Sequence, residues 1–170
     1  MNTNTNIVLI GFMGSGKTTA SKILGKKLNK EVIEMDDLIL ELSKRNTISE
    51  IFEKDSEIRF RELEIQVAKT VAAQKNVVIS TGGGVVMNKI IIDYFSENGK
   101  IVYLETGFDI VEKRLKGEKD KPLFKNILKA RKLFEFRKPL YDYFSEYMVN
   151  TNSKSPDEVA DEIIQKLQEK

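Results

Sequence analysis

The chain has no cysteine and no histidine, and each absence narrows its chemistry. Without cysteine there is no disulfide, no thiolate nucleophile and no cysteine-ligated zinc. Without histidine the usual neutral-pH base and the commonest transition-metal ligand are missing too. Any proton acceptor is therefore expected to be a carboxylate. An excess of one charge sign is also lacking: 28 Lys and Arg stand against 26 Asp and Glu, a formal net charge of +2. The signs are interspersed, with no basic tract of the kind that coats nucleic acid. The longest apolar runs are strand-sized, far below the roughly 20 residues that span a bilayer. The opening MNTNTN lacks the charged-then-apolar layout of a secretory signal. The expectation is a soluble, cytoplasmic protein that binds neither nucleic acid nor membrane.

Proline is scarce as well. Pro122, Pro139 and Pro156 are the only three, and no linker, repeat or low-complexity stretch divides the 170 residues. With 41% hydrophobic content the chain suits one domain over residues 1–170. Strand-like segments at Asn6–Ile10, Glu31–Met35, Asn76–Thr81 and Ile101–Leu104, with a weaker one at Tyr147–Asn150, alternate with segments of helical period. The latter are Lys17–Leu28, Leu38–Lys44, Glu57–Ala73, Lys89–Phe95, Ile110–Lys116 and Ile127–Phe144. A last helix is announced by Ser155-Pro156-Asp157-Glu158, an N-cap followed by proline and an acid three residues on. This alternation predicts an α/β fold with a mostly parallel sheet covered on both faces. Ligands in such folds bind beyond the carboxyl ends of the strands.

Glycine is concentrated where chemistry is expected. Gly11-Phe12-Met13-Gly14-Ser15-Gly16-Lys17-Thr18 fits G-x-x-x-x-G-K-[ST] at every fixed position, between an apolar strand and an amphipathic helix. Backbone N–H groups there can approach phosphate oxygens, Lys17 can reach the β/γ-phosphates, and Thr18 offers a hydroxyl to Mg²⁺. Four further places stand out. Glu34-Met35-Asp36-Asp37 closes the second strand and predicts Glu34 and Asp36 on one side of it, although Asp36 or Asp37 would equally serve to cap the next helix. In SEIRFRELE, Glu57, Arg61 and Glu64 share a helical face, in a spacing that by itself suits a solvated ion pair. Gly82-Gly83-Gly84 directly follows a buried-type strand and either admits close approach of a ligand or is a flexible loop. Finally, KGEKDKPLF reads as a charged break before a helix, and FRKPLYDYF carries Arg137, which alone reads as a surface arginine.

Taken in order, the phosphate turn, the paired acids, F-R-x-x-E, the triple glycine, the charged break and R-x-P-L-Y resemble the shikimate kinases, within the nucleoside-monophosphate-kinase-like P-loop enzymes. The resemblance runs from about Ile7 to Ile164. It implies a three-layer P-loop fold with a five-stranded mostly parallel sheet, a substrate-binding helical region at about residues 34–62 and a mobile lid at about 115–124. It further implies that Gly14, Ser15, Gly16, Lys17, Thr18 and Thr19 bind ATP and that Thr18 and Glu34 serve Mg²⁺. Arg114 then matches the adenine-stacking position, and Asn152 to Pro156, with Ser153, the adenine loop. Asp36 matches the acid that bonds the substrate diol and accepts or orients the hydroxyl proton. Arg61 and Arg137 match the pair that holds the shikimate carboxylate, and Gly82, Gly83 and Gly84 the loop against the ring. Lys121 stands where the lid arginine reaches the phosphates.

Two positions depart from that pattern. Glu34 replaces the usual Asp, moving a carboxylate by about one methylene, and Lys121 replaces Arg, exchanging a planar fork for a point charge, with Lys119 nearby to share the role. The implied activity is ATP-dependent phosphorylation of shikimate to the 3-phosphate, in chorismate and aromatic amino-acid biosynthesis, by a monomer. The alternatives are a same-fold kinase for a gluconate-type polyhydroxy acid, an ATPase or nucleotide switch, or a nucleotide-binding module that turns over weakly. The switch reading is suggested by Glu105 at the end of IVYLE, yet there is no N-K-x-D motif for guanine.

Overall fold

Strand and helix alternate as the hydrophobic periods imply. The computed structural model describes residues 5–116 and 126–169. The chain runs β1 (Asn6–Ile10), α1 (Lys17–Leu28), β2 (Glu31–Glu34), α2 (Met35–Ser43), α3 (Ile48–Lys54), α4 (Glu57–Ala72), β3 (Val77–Ser80), α5 (Lys89–Asn98), β4 (Gly99–Glu105), α6 (Phe108–Leu115), α7 (Ile127–Phe144), β5 (Tyr147–Asn150) and α8 (Pro156–Gln168). A 3-10 turn at Val85–Met87 separates β3 from α5.

The five strands lie in the order β2-β3-β1-β4-β5. Every pairing among them is parallel, where the sequence predicted a mostly parallel sheet. β1 shows why the sheet must be covered on both sides. Its side chains alternate, Ile7 and Leu9 entering one apolar cluster and Val8 and Ile10 the other. The first cluster is closed by Ala20 and Leu24 of α1 and by Val159, Ala160 and Ile163 of α8. The second is closed by α4, through Leu63, Val67 and Val71, together with residues of α2, α5, α6 and α7. The chain leaves β1 for β2 on one side, then crosses from β3 to β4 on the other. The carboxyl end of β1 therefore faces a crevice between diverging connections.

Two boundaries differ from the sequence expectation. β2 stops at Glu34, and Met35, fully buried, already begins α2. Asp36 and Asp37 thus lie in the first turn of a helix, where their charge is favoured by the helix dipole, and Asp36 is not a second strand residue beside Glu34. α3 was not anticipated, although Thr47 caps it by accepting from the Glu50 N–H at 3.1 Å. No helix among the described residues is long and apolar enough to cross a membrane.

Gly25 lets α1 settle on β2. A Cβ built there would lie 2.3 Å from Val32 Cγ2 and 2.9 Å from the Lys30 carbonyl oxygen. Gly25→Ala is expected to be destabilising by about 2 kcal/mol despite alanine's better helix propensity, because overpacking outweighs the gain of roughly 1 kcal/mol. Thermal denaturation would read this as a drop in Tm of about 5 °C.

Candidate functional site

The turn after β1 presents an unfilled helix start. Gly16, at φ 93°, caps α1 in a left-handed conformation without any side-chain hydrogen bond, and no acid occupies the first turn. The N–H groups of a helix's first turn and the positive end of its dipole suit an anion. Lys17 is buried against the same turn, its Nζ donating to the carbonyl oxygens of Gly11 at 2.8 Å and Phe12 at 3.0 Å. Ser15 Oγ is buried with no hydrogen-bond partner among the described residues. Beside the turn, Glu34 at the end of β2 accepts from Thr18 Oγ1 at 3.1 Å and from Ser21 Oγ at 2.8 Å. Hydroxyl and carboxylate oxygens are the hard donors Mg²⁺ takes. No cluster of three or more His, Cys, Asp or Glu that could hold a metal occurs among the described residues.

Across α1 lies a depression of about 280 Å³ lined by Ser15, Gly16, Thr19, Arg114, Thr151 and Pro156, among others. Arg114 of α6 spans it. Its Nη1 donates to the Gly14 carbonyl at 3.2 Å and its Nη2 to the Thr151 carbonyl at 2.9 Å. The guanidinium plane is thereby held between the phosphate turn and the segment after β5, a flat cation suited to stacking on a base. That segment is itself fixed: Asn152 Oδ1 accepts from the Gly107 N–H at 2.7 Å, and α8 begins with a complete capping box between Ser155 and Glu158. Ser153 is exposed. Glu105, at the end of β4, accepts from Asn150 Nδ2 at 2.9 Å and pairs with Lys138 at 3.6 Å. The carboxylate bonded to Thr18 is Glu34, which weighs against the switch reading.

On the other side of the turn the triple glycine is enclosed by charged side chains. A Cβ on Gly82 would lie 3.2 Å from Asp36 Oδ1 and 3.4 Å from Glu64 Oε1. On Gly83 it would lie 3.2 Å from the Met13 N, and on Gly84 2.6 Å from Arg61 Nη1. The loop is therefore packed, not the loose connection that three glycines also suggested. It brings Asp36, Arg61 and the phosphate turn to one place. Arg137, only 8% exposed, reaches the loop from α7 and donates from Nη1 to the Gly83 carbonyl at 3.3 Å. Its Nε is buried without a partner among the described residues. The surface-arginine expectation fails because Arg137 stands on the face of α7 that Phe134 and Tyr141 bury.

The ion pair on α4 also differs from a solvated one. Arg61 meets exposed Glu57 at 3.2 Å, but its shorter bond, 2.8 Å, is to Glu64, whose side chain is 1% exposed. Burial pushes the Glu64 carboxyl above its usual range, and Arg61 only partly opposes this. Burial likewise pushes the Arg137 guanidinium down. Arg59, by contrast, is half exposed and paired with Glu62 at 3.0 Å, as a surface residue should be.

Ser21 and Thr151 were not singled out in the sequence, and Glu64 was, but as part of a solvated pair. Glu64 sits among Phe60, Leu63, Val67 and Ala68, the i, i+3, i+4, i+7 stripe that faces the core, so its burial was readable from spacing. Ser21 and Thr151 carried no such signal. Lys121, Lys119 and most of the predicted lid lie outside the described residues.

Comparison with known proteins gives one consistent result. The family model described as shikimate kinase matches residues 13–168. A shikimate kinase from Sulfurihydrogenibium sp. is 40% identical over 163 residues, covering 95% of this chain and 97% of the relative. Another, from Caldicellulosiruptor bescii, is 42% identical over 163 residues, covering 94% and 93%. Among solved structures, shikimate kinase from Acinetobacter baumannii in complex with shikimate superposes with a TM-score of 0.93 at 32% identity, covering 98% of this chain and 94% of that one.

Proposed function

Because this chain belongs to the shikimate kinase family, we propose that it transfers the γ-phosphoryl group of ATP to a hydroxyl of shikimate, giving shikimate 3-phosphate for aromatic amino-acid biosynthesis. The observation that carries this for the chain's own residues is the triple-glycine loop. It touches Asp36, Arg61 and Arg137 while its middle residue abuts the phosphate turn. Two guanidiniums beside one carboxylate acid suit a small acceptor with one negative end and one hydroxyl to activate.

On this reading Arg61 and Arg137 grip the acceptor carboxylate. The exposed Glu57 gives way to it, while buried Glu64 stays on Arg61 and keeps the guanidinium aimed. Asp36 takes or orients the proton of the attacking hydroxyl. Lys17 and the N–H groups at the start of α1 bind the phosphates as charge develops on the leaving oxygen, and positioning does the rest. Arg114 and the segment Asn152 to Pro156, with Ser153, hold the base. Mg²⁺, held by Thr18 and Glu34 together with phosphates, would supply charge neutralisation there. The lid at about residues 115–124 contributes Lys121 to the phosphates, and residues 34–62 form the acceptor-binding region of one domain. The reading includes a cytoplasmic monomer, as expected from the sequence.

The test is ADP release with MgATP in the presence of shikimate, quinate, gluconate or no acceptor. Turnover that requires shikimate is expected. Preference for gluconate would move the chain to a sister activity, and ADP release without acceptor would reduce it to an ATPase. Gly84→Ala probes the clamp by a different route, since the added methyl must displace Arg61. The expected result is a rise of about tenfold in KM for shikimate with KM for ATP unchanged, corresponding to roughly 1.4 kcal/mol.

A further inference from the structure

The R-x-P-L-Y run ends in a residue to which the reading above gives no task. Tyr141 is fully buried, and its ring stacks on Tyr103 of β4 with centroids 5.1 Å apart. Its hydroxyl donates to the Gly83 carbonyl at 2.5 Å, the same oxygen that Arg137 Nη1 reaches at only 3.3 Å. Burial pushes the phenol well above its usual pKa, and the adjacent guanidinium offsets this only in part, so the group is a donor throughout the working pH range. Tyr141 and Arg137 are one helical turn apart on α7, with Pro139 between them.

We propose that Tyr141 is a positioning residue for phosphoryl transfer, holding the Gly83 carbonyl so that the Arg137 guanidinium stays available to the acceptor carboxylate. A carbonyl oxygen in a buried site needs a donor. With the phenol in place the need is met by a short bond from a neutral group, and the charged fork is left with the phenol oxygen beside it, a long contact to the carbonyl and, among the described residues, an unpartnered Nε. Without the phenol hydroxyl the nearest donor is Arg137 itself. Drawn fully onto Gly83, it would be satisfied by its own protein and would bind the acceptor less well. The same bond fixes the loop residue that lies against Met13 of the phosphate turn, so one hydroxyl sets both the acceptor clamp and its distance from the phosphates.

This role rests on the proposed acceptor, and the experiment separates the two. Tyr141→Phe keeps the ring, its stacking and its burial. It is expected to raise KM for shikimate about tenfold, to leave KM for MgATP within about twofold and to lower Tm by no more than a few degrees. The second variant places Tyr141→Phe in an Arg137→Met background. If the hydroxyl acts through Arg137, its removal there changes KM for shikimate by less than about twofold, because coupled residues are non-additive. A full tenfold effect in that background, an equal rise in both KM values, or no effect in the Arg137-containing enzyme would each overturn the role while wild-type turnover of shikimate upholds the acceptor. Wild type that ignores shikimate would remove both.

Discussion

Lys17→Met is expected to cost about a thousandfold in kcat while the protein still folds. The ammonium lies inside the phosphate turn, donating to two carbonyl oxygens at its mouth, and methionine retains most of the stem that fills this space. What disappears is a charge aimed at the group in flight. Because negative charge builds on the β–γ bridging oxygen as the bond to the leaving group breaks, and Lys17 can reach both the β- and γ-phosphates, the loss falls on kcat more than on KM for ATP. Loss of one such donor in a water-excluded site costs roughly 3–4 kcal/mol. Coupled ADP release at saturating ATP and shikimate measures it, with thermal denaturation confirming the fold. A loss under tenfold would show that another cation carries the charge.

Arg137→Met should raise KM for shikimate about a hundredfold, and it should do so without destabilising the protein. The first effect follows from removing one of two charged forks from the acceptor clamp, worth roughly 2.7 kcal/mol for a desolvated charge-assisted contact. The second follows from how Arg137 is held: among the described residues its Nε has no partner, its bond to the Gly83 carbonyl is long, and its charge is buried with the neutral Tyr141 phenol beside it. An apolar side chain of similar length relieves that burial, so Tm is expected to hold or rise by a few degrees. Arg61 is a poorer probe of the same clamp. Its removal strands the buried Glu64 carboxylate, and a loss of affinity would be mixed with a loss of several kcal/mol of stability. A fall in Tm for Arg137→Met would mean that the guanidinium holds the fold together, and the assignment to the acceptor would lose its main support.

The phosphate turn was legible because all its requirements are local: a strand, glycines at set offsets, then Lys17 and Thr18 at the start of a helix. The capping box at Ser155 and Glu158 was legible for the same reason. Arg137 was not, since its burial depends on a loop 54 residues earlier in the chain. The resemblance placed Arg137 beside the acceptor; in the sequence itself only Phe134 and Tyr141, at helical spacing on either side, mark its face as apolar. Glu64 and α3 fall between these cases. The apolar stripe around Glu64 and the Thr47 cap were present in the sequence, but an acid on a helix and a short polar segment both have commoner readings. For Asp36, two-residue alternation was carried past the point where the helix dipole had taken over.

The parallel order of the sheet also dictates when the site can come into being during synthesis. β1 leaves the ribosome first, but its neighbours are β3 and β4, with Ile7 opposite Val78 and Asn6 opposite Gly99. Until those segments emerge, both edges of a strand with four consecutive apolar residues, Ile7 to Ile10, are open, and the strand is available to any chaperone or neighbouring nascent chain. The glycine turn is thus translated before the strands that give it its shape. Chains released before β4 should neither hold ATP nor stay in solution.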